Sequence, residues 1–582
     1  MSLQVWLPLN RDLNNYGLCN VSTRPINSAS ITTNGGGKLG NCLSLSSDGQ
    51  AVSLDSYMDV CSTYTRYSMS AWIYMSSTAT NHSSSILSSG DWNSGSSQFC
   101  FGLYSYSSNG YWKILVPNRS SWSSGISLSN SIRLNTWYNI CITYDGSITR
   151  GYVNGEYVGS YAGGGITASS GNRNLYVGSA TYYNGFTLKG LMNDVRIYDH
   201  CLSVKEVKEI SKGLLCHYKL DNNGFGNPNL ITTMTPGGRT ALNGKYGLNA
   251  DFSQNLDTYG YINVSPALEL NSAYTLSFDV SNFPRGGAWS FNLWNNANYS
   301  TGTITKDGHY TYTFVPSESK LPNGYSLTKF LFDDAIPTNP AGTVYFTNFK
   351  IEKGDKATSW CPHTSDSLYT SLGLDSTAEP DCSGYLRNAN KVNSPASLPG
   401  SPRYEVGCKF TGSEYLTFPN PLTSSSTEFS ISCWVKFDNA SDTMTICTMR
   451  ASVGSGIALF KVGSNFRFDD NAQTTFSDYS IPVNTWLHLV VTRSSSSKNL
   501  YINGNLVQSA TTVGDMGELY TTGSIGASSA SGGNLGNFTK GAFSDFRIYS
   551  TVLSASDVKE LYNTSASVDK NGNMYAYEFK EE

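Results

Sequence analysis

Several features that would direct this 582-residue chain to a membrane or to nucleic acid are absent from its sequence. No apolar run is long enough to span a bilayer. The chain does not open on a charged segment followed by an apolar one, so we expect no secretory signal. Only 14% of the residues are charged, the formal net charge is −4, and no basic run or basic and aromatic stripe occurs. We therefore expect neither membrane insertion nor nucleic-acid binding.

The common signatures of catalysis are also missing. The sequence contains no H-E-x-x-H and no G-x-S-x-G, the patterns of zinc proteases and serine hydrolases. Glycoside hydrolysis needs two carboxylates that flank one bond. The adjacent acids Asp333–Asp334 and Asp469–Asp470 would instead point to opposite faces of a strand. The sequence thus argues against an enzyme.

Turn-forming and aromatic residues are abundant. The chain has 55 Gly and 38 Tyr, and its serines are numerous. Tyrosine favours strands, whereas glycine and serine favour the turns between them. This composition and length predict an all-β protein of two to four domains.

Two stretches of the sequence occur twice. NTWYNICITYDGSITRGYVNGEYVGSY starts at Asn135, and NTWLHLVVTRSSSSKNLYINGNLVQSA starts at Asn484. Both alternate apolar and polar residues around an Asn-Gly pair, which predicts strands joined by a two-residue turn. KGLMNDVRIYDHCLSVKEVKEI from Lys189 recurs as KGAFSDFRIYSTVLSASDVKEL from Lys540. This second pattern predicts a strand and then a short helix, which Ser203 and Glu206 begin as a capping box.

These motifs resemble the laminin-G-like domains of the concanavalin A-like lectin/glucanase superfamily. The resemblance implies two β-sandwiches, which together cover about two-thirds of the chain. Glucanases of this superfamily carry their acids as E-x-D-x-x-E, and this string is absent here. Similar chains occur on bacteriophage fibres and as decoration proteins, so the resemblance also implies a viral structural protein on the virion surface.

The second copy of the repeat is predicted to be interrupted. Leu214, Cys216, Tyr218 and Leu220 alternate as Leu3, Val5, Leu7 and Leu9 do at the N-terminus, yet the rest of the second copy resumes only near residue 366. We expect strand 213–222 to pair with the later domain, because insertions are tolerated where the ends of a module lie close together. The predicted segments are a first sandwich (1–212), an opening strand (213–224), an insert (225–365), the remaining second sandwich (366–563) and a tail or added strand (564–582).

The insert has strand patterns of its own, from Tyr274, Trp289, Tyr310 and Val344. It resembles the jelly-roll carbohydrate-binding modules, which implies a third β-sandwich. Within the first sandwich, serine-rich and glycine-rich segments at residues 83–97 and 120–131 predict long loops.

Twelve cysteines could suggest disulfides, but the repeat argues otherwise. Cys433 stands where the first copy has Ala71, and Cys141 faces Val490. Cysteine that exchanges with apolar residues behaves as a buried thiol. We therefore expect reduced cysteines and folding in a reducing compartment, such as the cytoplasm of a bacterial host.

Sugar binding needs aromatic platforms with amides and hydroxyls nearby. Trp92 and Trp122 lie in polar loops and are the preferred candidates, although packing remains the alternative for every one of these rings. The predicted glycan-binding residues are Trp92, Tyr104, Tyr106, Trp112, Trp122, Trp289 and Trp294.

Calcium is the one cofactor for which the sequence offers ligands. Asp381, Asp438, Asn439 and Asp442 carry hard oxygen atoms in turn-like segments. The alternative is ordinary turn formation by Asp and Asn, with no cofactor at all.

The sequence as a whole predicts a non-enzymatic protein that adheres to host or environmental glycans and forms a homo-oligomer with other virion proteins as partners. Many weak sites would act together through avidity. The alternatives are a structural virion component that binds only neighbouring proteins, an enzyme that cleaves polysaccharide, and a bacterial adhesin or secreted lectin.

Overall fold

The computed structural model describes most of the chain, and within that part the chain is almost entirely antiparallel β-structure with three short α-helices. The described residues are 3–17, 19, 21–33, 35–78, 83–89, 99–106, 111–119, 121, 124–129, 132–167, 173–179, 186–220, 229–254, 258–283, 287–334, 342–355, 363, 378–379, 381–383, 385, 387–402, 405–452, 455–529 and 535–563.

The chain divides into two compact units. One comprises Met1–Leu215 with Pro421–Ser430 and Ile548–Leu553, and the other comprises Cys216–Asn420, Ile431–Arg547 and Ser554–Glu582. The finer division into five segments stays a prediction, and the predicted tail 564–582 lies outside the described residues.

The first copy of the repeat is a sandwich of two antiparallel sheets. Its strands are β1 (Leu3–Leu7), β2 (Thr23–Ile26), β3 (Ser30–Ile31), β4 (Leu43–Leu45), β5 (Ala51–Leu54), β6 (Tyr67–Met75), β7 (Ser83–Ser88), β8 (Cys100–Tyr106), β9 (Tyr111–Leu115), β10 (Ile126–Ser127), β11 (Trp137–Tyr144), β12 (Ile148–Val153), β13 (Glu156–Ala162), β14 (Leu175–Val177) and β15 (Gly190–Tyr198). Its helices are α1 (Tyr57–Cys61) and α2 (Val204–Ser211). The sheet orders are β13-β12-β11-β6-β15-β4-β3, with β1 also on β15, and β10-β9-β8-β7-β14-β5-β2.

Alternating side chains of the two sheets of this sandwich build one apolar core. Met69, Ala71 and Ile73 of β6 face Phe101 and Leu103 of β8 within a single buried cluster. Strands with this alternation are stable only when one face is covered, so the two sheets must stack. Helix α2 starts at the predicted capping box, in which Glu206 donates its backbone N–H to the Ser203 hydroxyl.

The second copy has a matching set of strands. They are β16 (Leu214–Tyr218), β26 (Ala378–Glu379), β27 (Ala389–Val392), β28 (Ala396–Ser401), β29 (Glu405–Thr411), β30 (Tyr415–Pro419), β31 (Phe429–Phe437), β32 (Met444–Ser452), β33 (Ser455–Val462), β34 (Asn465–Asp470), β35 (Gln473–Phe476), β36 (Leu487–Arg493), β37 (Lys498–Ile502), β38 (Asn505–Ala510), β39 (Thr522–Ile525), β40 (Ser528–Ser529), β41 (Leu535–Gly536) and β42 (Lys540–Tyr549). Helix α3 (Ala555–Asn563) follows. The main sheets are β38-β37-β36-β31-β42-β29-β28, with β16 also on β42, and β26-β27-β30-β39-β32-β33-β34-β35.

The two copies agree strand for strand in their eight-stranded sheets that hold β15 and β42. Strand β16 lies on β42 as β1 lies on β15, which is the pairing that the sequence predicted for residues 213–222. The backbone N–H of Asp545 donates to the carbonyl of Lys219, as that of Asp194 donates to the carbonyl of Pro8. In this sheet of the second copy, β16 ends at Tyr218 and the next strand along the chain, β28, begins only at Ala396.

The segment between β16 and β26 forms a smaller sandwich, which we call the insert. Its strands are β17 (Ile231–Gly238), β18 (Thr240–Leu242), β19 (Leu248–Asp251), β20 (Thr258–Val264), β21 (Tyr274–Ser281), β22 (Phe291–Leu293), β23 (Gly308–Phe314), β24 (Lys329–Asp334) and β25 (Thr343–Lys353), with a 3-10 turn at Ala297–Tyr299. The four-stranded sheet β17-β20-β24-β22 packs on the five-stranded sheet β18-β19-β25-β21-β23 through an aromatic core.

The loop predicted at residues 83–97 is wrong for its first six residues, and residues 90–97 lie outside the part of the chain that the structure describes. Ser83–Ser88 forms β7, and all six of its residues are buried. Serine is small enough to occupy both faces of a covered strand, and Ile86 and Leu87 supply the apolar contacts. A serine-rich composition therefore did not distinguish this strand from a loop.

The cysteines lie where exchange with apolar residues predicted them. Cys42, Cys141, Cys433 and Cys447 are buried free thiols, and burial raises the pKa of the Cys433 thiol well above its usual value. Among the described residues, no helix combines the length and the apolar character that a membrane span requires.

Candidate functional site

Two of the predicted aromatic residues in the first copy are buried. Trp112 of β9 belongs to the main core, because it pairs with Ser105 and shares the inner face with Leu103 and Ile114. Tyr104 lies on the outer face, but it is buried with Cys100 and Leu115 in a small apolar cluster. Neither ring offers a face to a sugar in this structure. Trp92, Trp122 and the side chain of Tyr106 lie outside the described residues.

The two tryptophans of the insert are core residues. Trp289 has no exposed surface, and its ring centre lies 4.1 Å from that of Phe291. Trp294 follows Leu293, and regular alternation along the strand would point it away from the core. Instead it packs at 4.6 Å on Phe330 and donates its Nε1–H to the carbonyl of Ser326. Strand β22 ends at Leu293, and Trp294 has a φ of 56°, so the turned backbone returns the ring to the core.

The carboxylate of Asp381 accepts hydrogen bonds from three backbone N–H groups. Its Oδ1 accepts from the backbone N–H groups of His217 and Ser383, and its Oδ2 accepts from that of Arg387. Three such bonds satisfy most of the carboxylate's acceptor capacity. These bonds form a turn and hold β16 in place, which is the alternative to calcium binding that the sequence left open for Asp381.

Asp438 and Asp442 have lysine partners. Lys409 Nζ lies 2.5 Å from Asp438 Oδ2, and Lys540 Nζ lies 3.3 Å from Asp442 Oδ2. The Asn439 side chain donates to Asp442 Oδ2. In the described part of the chain, no group of three or more His, Cys, Asp or Glu side chains is placed to hold a metal ion. The donor set therefore does not fit calcium.

The adjacent acids of β34 point to opposite faces, as expected. Asp469 pairs with Arg467 at 3.2 Å on one face. Asp470 is fully buried on the other, where Lys498 and Arg493 lie 2.5 Å and 2.9 Å from its oxygens. Neither carboxylate can cooperate with the other at one glycosidic bond.

An open, partly aromatic surface is found instead on the four-stranded sheet of the insert. Ile262, Val264, Phe330 and Phe332 point into the core, so the alternate residues point outward. We call this outer surface the tyrosine face. It carries Thr233, Thr235 and Gly237 of β17, Tyr259, Tyr261 and Asn263 of β20, Lys329, Leu331 and Asp333 of β24, and Asn292 of β22.

The register arranges the tyrosine face in rows that cross the strands. Tyr261 lies between Thr235 and Leu331, and it is 37% exposed. Asn263 lies between Thr233 and Lys329, and its Nδ2 donates to the Thr233 hydroxyl. Tyrosine rings on alternate residues stand about 7 Å apart along the strand. The face thus places two aromatic rings beside amide, hydroxyl and ammonium groups.

Local sequence explains why this face can hold flat rings. A Cβ at Gly237 would come within 2.1 Å of the Tyr259 ring, so only glycine lets that ring lie across β17. Lys329 Nζ lies 4.7 Å from the centre of the Tyr261 ring, a cation–π distance. At the far side, Asn292 is nine-tenths buried, and its Oδ1 has no hydrogen-bond partner in the described part of the chain.

The outer face of the five-stranded sheet of the insert is less exposed than the tyrosine face. Its outward residues Ser277, Lys350 and Glu352 are buried, whereas Thr233, Thr235, Tyr261 and Lys329 are exposed. Sequence reasoning missed the tyrosine face, although the alternation in TYGYINV is a strand signal. The sequence pattern does not indicate which face of a sheet is covered by other segments of the chain.

The solved structures that are similar to this protein match about a third of its chain. Domain 4 of AbnA, an extracellular arabinanase from Geobacillus stearothermophilus in complex with arabinotriose, is 19% identical over 31% of this chain and 92% of its own, with a TM-score of 0.27. The binding domain of botulinum neurotoxin DC in complex with SialylT is 18% identical over 32% of this chain, with a TM-score of 0.25. This chain spans about half of that neurotoxin domain, at 47% of its length.

The sequence has no significant match among curated proteins. A family model, described as the concanavalin A-like lectin/glucanases superfamily of the laminin G type, matches residues 46–208 and 410–559. These ranges fall on the two large sandwiches and together cover more than half of the chain. With two lectin-like sandwiches of matching strand order, this chain belongs to the concanavalin A-like lectin/glucanase superfamily.

Proposed function

We propose that this protein binds glycans without cleaving them, and that the tyrosine face of the insert holds the sugar. The observation that carries the proposal is the exposed Tyr261 beside the half-buried Tyr259, on a sheet face that also holds Asn263, Thr235 and Lys329. Sugar rings stack their apolar C–H faces on aromatic rings, while their hydroxyls need polar partners that fix the orientation. The tyrosine face supplies both kinds of group on a rigid sheet.

The proposed setting is the surface of a virus particle. The resemblance of the repeat to fibre and decoration proteins supports it, and so do the buried free thiols, which suit folding in a reducing cytoplasm. There the chain would form homo-oligomers, contact other virion proteins and repeat its weak sugar sites, which raises avidity without new contacts. The predicted segments of the chain, with the insert as a guest in the second sandwich, are part of the same proposal.

The experiment is a glycan array probed with the full chain and with Tyr261→Ala. We expect the wild-type protein to retain a defined set of oligosaccharides and the variant to bind them roughly tenfold more weakly, about 1.4 kcal/mol. Tyr520→Ala is the matched control, because Tyr520 is also exposed and lies outside the tyrosine face. Equal thermal unfolding of the two variants shows that both fold. An array without any binding, or equal loss in both variants, overturns the proposal.

A further inference from the structure

A second cluster of interacting side chains lies on the outer face of the second sandwich. Phe466 and Phe468 of β34 are fully buried, so Arg467 and Asp469 stand on the opposite face of that strand. Phe460 pairs with Arg467 across β33 and β34. The guanidinium groups of Arg450 and Arg467 lie 5.1 Å and 4.7 Å from the centre of the Phe460 ring. We call Arg450, Phe460, Arg467 and Asp469 the arginine cluster.

The two guanidinium groups of the arginine cluster lie in a shielded place. Two guanidinium groups share one carboxylate, since Asp469 Oδ2 lies 3.2 Å from Arg467 Nη2 and 3.9 Å from Arg450 Nη1. The side chains are 7% (Arg450), 25% (Arg467) and 16% (Asp469) exposed. Guanidinium groups in such a shielded place hold an oxyanion strongly, because little water competes for their N–H donors.

Hydrogen-bonding capacity is left over as well. Arg467 Nε and Asp469 Oδ1 are buried, and neither has a hydrogen-bond partner among the residues that the structure describes. Strand β35 borders the cluster with Gln473 opposite Asp469 and Thr475 opposite Arg467, and both of these side chains are exposed. Burial lowers the pKa of Arg450 and raises that of Asp469.

We propose that the arginine cluster is a second binding site, which takes the carboxylate or sulfate of an acidic sugar between Arg450 and Arg467. Planar guanidinium groups donate two parallel hydrogen bonds to an oxyanion, which makes arginine suited to this role. Asp469 Oδ1 accepts a hydrogen bond from a neighbouring hydroxyl of the sugar, and Gln473 and Thr475 donate to or accept from other hydroxyls of the sugar. The site is independent of the tyrosine face, so either proposal can fail alone.

The test measures retention of the full chain on immobilised dextran sulfate, polygalacturonate and neutral dextran. We expect binding to at least one of the acidic polymers, weaker binding as salt is added, and no binding to neutral dextran. Retention by only one acidic polymer supports the proposal and identifies the anionic group. Binding to neither, or equal binding to neutral dextran, overturns it.

Variants separate a binding role from a structural one. Arg467→Gln should weaken acidic-polymer binding at least tenfold, whereas Arg24→Gln, at a solvent-exposed ion pair with Asp55 in the first copy, should leave it unchanged. Asp469→Asn should strengthen binding, because it removes the carboxylate that competes with the ligand for both arginines. A purely structural cluster predicts the opposite, and weaker binding of Asp469→Asn would overturn the proposal even if Arg467→Gln fails to fold.

Discussion

The two large sandwiches share a backbone plan but fill it differently. Asp194 of β15 and Asp545 of β42 stand at matching positions, each with a φ of 54°. In both copies an arginine two residues later donates Nε–H to the aspartate. The third partner differs. In the first copy Trp6 donates its indole N–H to Asp194, and in the second His217 Nε2 lies 2.8 Å from Asp545.

A second difference lies where β11 meets β12 and β36 meets β37. Tyr144 pairs with Thr149 in the first copy, and Arg493 pairs with Lys498 at the matching place in the second. The first copy packs Tyr144 against Tyr67 there, whereas the second buries an ionic triad of Arg493, Lys498 and Asp470. The two copies thus share their turns and the left-handed aspartate, whereas the side-chain contacts at matching places are apolar in one copy and ionic in the other.

Removal of Asp470 should produce the largest difference between the copies. Asp470→Asn leaves Lys498 and Arg493 buried without their carboxylate. The loss of one partner of a buried ion pair lowers the free energy of unfolding by about 3–5 kcal/mol. Tyr144→Phe in the first copy removes one hydroxyl bond to the carbonyl of Gly146 and should cost about 1 kcal/mol. Calorimetric unfolding of the full chain checks both. A cost below about 1 kcal/mol for Asp470→Asn would show that the triad is not a stabilising unit.

Acid should affect the second copy through His217. Burial, and next the nearby Arg547, lowers the pKa of His217 to about 4 from its usual value of 6.5. The unfolded chain therefore binds more protons than the folded one between these values, and stability falls as the pH drops from 6.5 towards 4. The expected loss is on the order of 3 kcal/mol.

The control for this pH effect is His217→Gln, whose amide can donate to Asp545 but does not titrate. Calorimetry at pH 7 and at pH 4.5 should show a smaller acid shift for the variant than for the wild type. Trp6 at the matching position has no such titration. Equal acid shifts in both proteins would remove His217 from the explanation.

The smallest expected effect is a difference in stability between alanine variants of the two Asn-Gly turns. Gly155 and Gly504 have φ values of 81° and 80°, so alanine at either should cost about 1 kcal/mol. A Cβ at Gly155 would lie 2.3 Å from Ser211 Oγ, whereas one at Gly504 would lie 3.2 Å from Tyr562 Cβ. Gly155→Ala should therefore be the more destabilising variant in thermal unfolding. The reverse order would contradict this account of the turns.

The sequence predicted the parts of the fold that local chemistry determines. Asn154 and Asn503 take the left-handed conformation that an Asn-Gly turn needs, and their side chains accept from the backbone N–H groups of Asn139 and His488. The partner of β16 could also be predicted, because alternation in residues 213–222 repeats that of the first strand. These features require only neighbouring residues and the repeat.

The candidate sites could not be predicted in the same way. Whether Tyr104 or Tyr261 is exposed depends on which segments cover each sheet, and both lie in similar alternating strands. Trp294 turned inward because the backbone left the strand one residue earlier. The residues proposed for the tyrosine face follow from the structure alone, and the predicted loop tryptophans Trp92 and Trp122 stay predictions.

A crystal structure of the full chain with an oligosaccharide selected on the glycan array tests the central claim most directly. We expect a sugar ring to lie on Tyr259 or Tyr261, with hydroxyls bound by Asn263 or Thr235. A ligand bound only elsewhere, with the tyrosine face covered by other protein, would contradict the account.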